Sequence, residues 1–210
     1  MLIVLGFHVL AIAVALGQHG PSPGGTVGMF SVVIATHDSE RALVRTLAVL
    51  VPGATAGIVR EVIVADGGSG DETEQVADIA GCRFLSSNEP PGARLKAAAA
   101  IARGEWLMFL RPGAVPEASW IDETIAFVQR GSDAPQAAVF AAPGNDIRAR
   151  LNRAFRRLPR PEQGLILRGS FYDALGGHRA SAGDPEADLL RRIARRRLTT
   201  LGTRVATATI

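Results

Sequence analysis

The 210-residue chain is short of several residue types at once, and each shortage removes a class of function. Its one cysteine, Cys82, allows neither an internal disulfide framework nor a cysteine-based zinc cluster. Its four histidines, His8, His19, His37 and His178, show no His-x-x-x-His spacing, which argues against a histidine metal site. Aromatic residues make up only 5%, too few for a base-stacking platform, so nucleic acid is not an expected partner. No Gly-x-Gly-x-x-Gly follows the first strand-like run and no Gly-Lys-Ser/Thr loop occurs anywhere. Both gaps argue against a NAD enzyme or a P-loop ATPase. The lone "GGSG" lacks the strand–turn–helix setting of a serine nucleophile.

Lysine is nearly absent as well. Lys96 is the only one, so arginine supplies almost all the positive charge behind the net +3. This bias fits a GC-rich genome, or a preference for guanidinium forks that grip phosphate or anionic lipid. A long hydrophobic run is missing too. Residues 2–16, "LIVLGFHVLAIAVAL", are apolar apart from His8, but they fall short of the roughly 20 residues that cross a bilayer. No Lys or Arg precedes them, so the positive flank of a secretory signal is lacking. The extension 1–29 reads as an anchor, a poor signal, or sequence outside the working protein. Met29, immediately before the first convincing strand, favours the last. Residues 30–210 are then expected to form a single domain, and a chain with 47% hydrophobic and 20% charged residues has ordinary globular proportions.

What is present is an alternation of two periods. "FSVVIAT" (30–36) is a β-branched run of the kind buried in parallel sheets. Leu43, Leu47 and Leu50 then recur at helical spacing, with Asp38 or Ser39 as N-cap. "EVIVAD" (61–66), "RFLSS", "EWLMFL" and "AAVFAA" (137–142) predict further strands. Between them "DETEQVADIA" (71–80), "ARLKAAAAIAR" (93–103) and "SWIDETIAFVQR" predict helices. The pattern predicts an α/β fold: a three-layer α/β/α sandwich around a mostly parallel sheet.

In such a fold ligands sit beyond the carboxyl ends of the strands. Asp66 ends the second strand and is expected there, on the same sheet edge as Arg111. The plain structural alternative is that Asp66 caps the helix starting near Asp71. The fourth strand runs into Arg111, Pro112 and Gly113, with no carboxylate where a metal is often held. Glu117 lies too far along the turn to replace one.

The succession "SVVIATHDSERALVRTL", "VREVIVADGGSGDETEQVA", "GARLKAAAAIARGEWLMFL", "QGLILRGSFYDALGGH" and "EADLLRRIARR" resembles the family 2 glycosyltransferases with the GT-A fold. The resemblance covers residues 30–198 and is closest to a compact bacterial type whose second loop reads Asp-Gly-Gly-Ser. It implies a nucleotide-sugar donor across the first two strand ends, its base near Thr36, Glu40 and Asp66. Arg94 matches a basic residue near the donor diphosphate, and Gly67 stands where many relatives carry a second aspartate. In relatives, the strand matching "WLMFL" ends in an acidic motif that holds Mg²⁺ or Mn²⁺. Here Arg111, Pro112 and Gly113 take that place, so no metal cofactor is expected, or only weak metal dependence. Two readings follow. Either Arg111 takes over part of the metal's electrostatic work, or the domain is catalytically silent and binds a nucleotide, glycan or protein partner.

The resemblance also implies a general base for the acceptor hydroxyl. In relatives an acidic pair precedes the helix matching "ADLLRR", and here Pro185-Glu186 replaces it. Glu186 falls on the base position, with Asp184 as fallback, and the implied chemistry is inverting transfer. The plain alternative is a helix start: Asp184 as N-cap, Pro185 first, Glu186 in the first turn. The arginine runs 153–160 and 191–197 read as a solvated helix face, or as a surface for anionic lipid. The second option suits a glycan or lipid acceptor and a cytoplasmic protein at the inner face of a membrane.

Overall fold

The computed structural model describes residues 29–130, 135–142 and 159–207. Residues 1–28 of the N-terminal extension and 153–158 of the first arginine run lie outside them. Every strand and helix expected from the alternation is present. The first half runs β1 (Phe30–Thr36), α1 (Glu40–Thr55), β2 (Val59–Asp66), α2 (Thr73–Ile79), β3 (Arg83–Ser86), α3 (Pro91–Ala100) and β4 (Trp106–Leu110). After it come β5 (Ala114–Pro116), α4 (Trp120–Val128) and β6 (Ala137–Ala141). A 3₁₀ turn (Pro161–Gln163), β7 (Leu165–Arg168), α5 (Gly169–Ala174) and α6 (Pro185–Arg192) follow, then a second 3₁₀ turn (Arg195–Arg197) and β8 (Leu198–Thr207).

The strands form one sheet in the order β3-β2-β1-β4-β7-β6-β8-β5. β1 to β4 are parallel to one another, while β7 enters antiparallel between β4 and β6. β8 pairs parallel with β6 and antiparallel with β5. The parallel character therefore belongs to the first four strands and the β6–β8 pair. β5, β7 and β8 were not visible as strands in the sequence. β5 and β7 have three and four residues, and β8 is rich in threonine and interrupted by Gly202, so none carries a strong apolar period.

Strand alternation splits the core in two. Val32, Ile34, Val62 and Val64 pack with Leu43, Leu47 and Leu50 of α1, Val76 of α2, and Trp120 and Phe127 of α4. Val33, Ile63 and Ala65 point the other way, onto Leu95 of α3, Tyr172 of α5, and Leu189 and Leu190 of α6. Two apolar layers on opposite sheet faces are the three-layer sandwich. Burying a leucine such as Leu43 or Leu47 fully contributes roughly 1.5–3 kcal/mol each, so α1 is secured by its apolar stripe. Its N-cap is Ser39, yet no side-chain cap bond forms within α1. Asp71 Oδ2 instead accepts the Glu40 N–H at 3.0 Å, and Thr73 Oγ1 accepts the Ser39 N–H at 3.0 Å. The loop after β2 thus caps the helix after β1, and these bonds tie the two strand-end loops together.

Candidate active site

Because β1, β2 and β4 run parallel in register, Thr36, Asp66 and Arg111 emerge at the same sheet edge. On the β1–β2 side, Asp66 is buried to 1% exposure and its oxygens are saturated. Oδ1 accepts the Thr36 hydroxyl at 2.8 Å and the Ser69 hydroxyl at 2.5 Å, while Oδ2 accepts the Gly68 and Ser69 N–H groups, each at 2.8 Å. Burial works to raise its pKa, but the Ser69, Thr36 and Gly68 hydrogen bonds outweigh it and hold the carboxyl below the usual aspartate range. Asp66 therefore shapes the loop at residues 67–69 and does not cap α2, which starts at Thr73.

Arg94, on α3, crosses to the same strand ends. Its Nη1 donates to the Thr36 carbonyl at 2.9 Å and to the Ala65 carbonyl at 2.8 Å, and its Nε donates to the Glu89 carbonyl at 3.1 Å. The guanidinium lies so close to Gly67 that a Cβ there would sit 2.9 Å from three of its atoms. Gly67 is thus the residue that admits Arg94. The outer nitrogen, Nη2, makes no hydrogen bond among the described residues. Glu40 stands half-buried in the first turn of α1 beside this loop pair.

The second group assembles around Arg111. Its Nε donates to Glu186 Oε2 at 2.5 Å, Nη1 to Glu162 Oε1 at 3.0 Å, and Nη2 to both Asp184 oxygens at 3.0 and 3.1 Å. One guanidinium thus faces three carboxylates, a formal charge of +1 − 3 = −2. The structure brings the two base candidates and the strand-end arginine into one cluster. It joins Thr36, Asp66, Gly67 and Arg94 in a separate one.

Each side chain of the Arg111 cluster is held by its own element. α6 carries Asp184 as N-cap, accepting the Ala187 N–H at 3.0 Å, with Pro185 at the first position, so the expected helix start and the cluster coexist. Arg192, on the same helix, donates to the Leu175 carbonyl at 2.6 Å and the Gly177 carbonyl at 2.7 Å, tying α6 to the preceding loop. Glu162 was not singled out from sequence. It sits on the 3₁₀ turn, where buried Gln163 donates to the Phe140 carbonyl at 2.6 Å and accepts the Arg160 N–H at 2.8 Å. Gly164 follows at φ +68°, its α-carbon facing Leu110 and Phe109 at the end of β4. The readable signal was "PEQG", a turn directly before an apolar strand.

The two carboxylates beside Arg111 titrate in opposite directions. Burial raises the Glu186 pKa above its ordinary value, and Arg111 opposes this only in part. For Asp184 burial also raises, but the Ala187 N–H and Arg111 outweigh it and the net shift is downward. Exposure accounts for the split: the Glu186 side chain is 15% exposed and that of Asp184 44%. Burial works against the Arg111 charge, yet Glu186 and Asp184 raise its pKa, so it remains a cation.

At the strand end where the resemblance implies a divalent ion, β4 itself supplies no carboxylate. β4 ends in Arg111, Pro112 and Gly113, and the nearest carboxylates are already engaged by a guanidinium. Among the described residues no group of three or more His, Cys, Asp or Glu side chains is arranged to hold a metal ion. Glu117 is turned to β8, where its Oε2 accepts the Arg204 N–H at 3.3 Å. Behind the cluster, His178 is buried with the Tyr172 hydroxyl in hydrogen-bond contact with Nδ1 at 3.0 Å, and burial pushes its pKa down to about 4. Burial pushes the Cys82 thiol up to about 12, which removes it as a nucleophile. No described helix is long and apolar enough to cross a membrane.

Comparison with known proteins supports the fold. The chain is similar in fold to glucosyl-3-phosphoglycerate synthase from Mycobacterium tuberculosis, solved with Mn²⁺, uridine diphosphate and glucosyl-3-phosphoglycerate. That match has 20% identity and a TM-score of 0.66, covering 91% of this chain and 79% of the other. The same synthase with Mn²⁺ and UDP-glucose matches at 18% identity and TM-score 0.65, over 96% and 76% of the two chains. A mannosyltransferase from Pyrobaculum calidifontis in complex with GDP-mannose and Mn²⁺ matches at 15% identity and TM-score 0.71, over 98% and 69%. No individually curated protein matches. The sequence model of glycosyl transferase family 2 matches residues 31–183, and the chain belongs to that family.

Proposed function

We propose that the domain transfers a sugar from a nucleoside-diphosphate donor to a hydroxyl acceptor with inversion, with Glu186 as general base and Arg111 in place of a metal-binding carboxylate. The single observation that carries this reading is the convergence of Arg111 and Glu186 at 2.5 Å beyond the end of β4. A base and a cation thereby stand side by side on the edge where ligands bind in open α/β sheets.

In the transfer step the acceptor oxygen forms a bond to the anomeric carbon as the bond from that carbon to the diphosphate oxygen breaks. The acceptor proton passes to a Glu186 carboxylate oxygen, and the electron pair of the broken bond leaves on the nucleoside diphosphate. Burial raises the proton affinity of Glu186, in the direction a general base requires. A guanidinium suits the departing diphosphate because its planar fork pairs with phosphate oxygens. Thr36, Glu40, Asp66 and Gly67 are assigned to the donor base, the buried Thr36 and Asp66 by shaping the loop, and the outer nitrogen of Arg94 faces the same loop. UDP and GDP donors, bound by the structural neighbours, are the first to try.

Calorimetric titration with a panel of nucleoside diphosphates, with Mn²⁺ or with EDTA, tests the assignment of Arg111. Affinity should change less than about threefold between the two conditions, because no carboxylate ligand follows β4. A strong metal requirement, lost on mutating Asp66 or Glu117, would put a metal ion where this reading puts Arg111. The acceptor is a glycan or lipid hydroxyl. The exposed arginines Arg191, Arg195 and Arg196, at and beyond the end of α6, suit an anionic membrane surface. Salt-sensitive flotation with anionic vesicles, lost when all three become serine, is the expected result.

A further inference from the structure

Arg111 is claimed twice: by the three carboxylates that hold it, and by the donor diphosphate assigned to it above. We propose that Glu162 is a positioning residue that parks Arg111 against Glu186, and that a bound diphosphate draws the guanidinium away. This rests on the reading of Arg111 as a diphosphate-binding residue.

Three observations carry it. First, the parked cluster has three carboxylates to one guanidinium, so as it stands it repels a diphosphate. An anion is attracted only once Arg111 turns toward it and away from its acidic partners. Second, the parking contact is releasable. The Glu162 side chain is 45% exposed, like Asp184 at 44% and unlike Glu186 at 15%, so water readily replaces that ion pair. Third, the turn that carries Glu162 is fixed, so its backbone does not follow Arg111. Gln163 pins the turn to the Phe140 carbonyl of β6, and Gly164 fits against the end of β4.

The consequence reaches the base. Arg111 now opposes the upward effect of burial on Glu186. Withdrawal of the guanidinium toward a diphosphate would remove that opposition and strengthen Glu186 as a proton acceptor when the donor is in place.

The test is calorimetry on the full chain with UDP, GDP and inorganic pyrophosphate at fixed ionic strength. It compares wild type, Glu162→Gln, Arg111→Ala and the double variant. Losing the parking partner should tighten binding about two- to fivefold, the scale of one partly exposed ion pair. A residue of merely structural importance would not tighten anything. In the Arg111→Ala background Glu162→Gln should have no effect, since there is nothing left to park. Tightening that persists without Arg111 would mean simple removal of negative charge, and overturns the proposal. So does Glu162→Gln binding no more tightly than wild type. If Arg111→Ala alone leaves affinity unchanged, the underlying diphosphate reading fails and the parking proposal falls with it.

Discussion

Two charge clusters at opposite ends of the same strands are built in reverse proportion. At the amino end, Glu61 is buried to 4% exposure and one carboxylate meets two guanidiniums. Its Oε1 accepts the Ser31 hydroxyl and the Arg103 N–H, both at 2.7 Å, while Arg83 and Arg103 reach Oε2 at 3.1 and 3.0 Å. At the carboxyl end, one guanidinium meets three carboxylates, all partly open to water. The first cluster satisfies every lone pair it buries and leaves nothing for a ligand. The second leaves negative charge in excess and a raised carboxyl pKa, the imbalance expected of a working site. One arrangement is closed on itself; the other is the one to which the proposed reaction is assigned.

The largest effect on stability should come from the amino-end cluster. Glu61→Leu leaves two guanidiniums and the Ser31 hydroxyl without their shared acceptor, and should cost about 3 kcal/mol in urea unfolding. Turnover per folded molecule should stay near wild type. A large loss of turnover at unchanged stability would show that the two ends are not separable in this way.

His178 gives the next effect. Its folded pKa lies at about 4, below the ordinary 6.5, because burial disfavours the imidazolium. The unfolded chain therefore takes up this proton first. Stability from this group is complete above pH 6.5 and is lost as the pH falls toward 4. The slope should approach about 1.4 kcal/mol per pH unit within that window. In His178→Phe that part of the slope should vanish, and an unchanged slope would assign the acid sensitivity to other groups.

Gln163→Ala removes the anchor of the turn that carries Glu162 and leaves the Phe140 carbonyl unpaired. It should cost about 1–2 kcal/mol and loosen the carboxyl-end cluster without touching the amino end. Smallest is Gly67→Ala, whose methyl group would press on the Arg94 guanidinium. A shift of a few tenths of an ångström should weaken nucleoside diphosphate binding about threefold, with little change in melting temperature.

The same contrast explains what could be read from sequence. The β1–α1–β2 unit was legible because its signals are local: apolar runs, leucines at helical spacing, and glycines beside Asp66. The parallel register then placed Asp66 and Arg111 on one edge without further information. Capping of α1 by Asp71 and Thr73 was not legible, since those residues lie in the next loop. Glu162 was missed for the same physical reason. It meets Arg111 across 51 residues of sequence, through an antiparallel strand, β7, too short to carry a period. Glu61 was passed over as part of the run "EVIVAD". An acid in a strand that is apolar at every following position down to Asp66 was the available sign that both strand faces are covered.

The measurement that bears most directly on the account is the turnover of Glu186→Gln, read beside its affinity for nucleoside diphosphate. With the base replaced by an amide of the same shape, turnover should fall roughly 10²–10⁴-fold while the nucleotide still binds. Turnover within twofold of wild type, at unchanged affinity, would contradict the assignment of the carboxyl-end cluster as the site of chemistry.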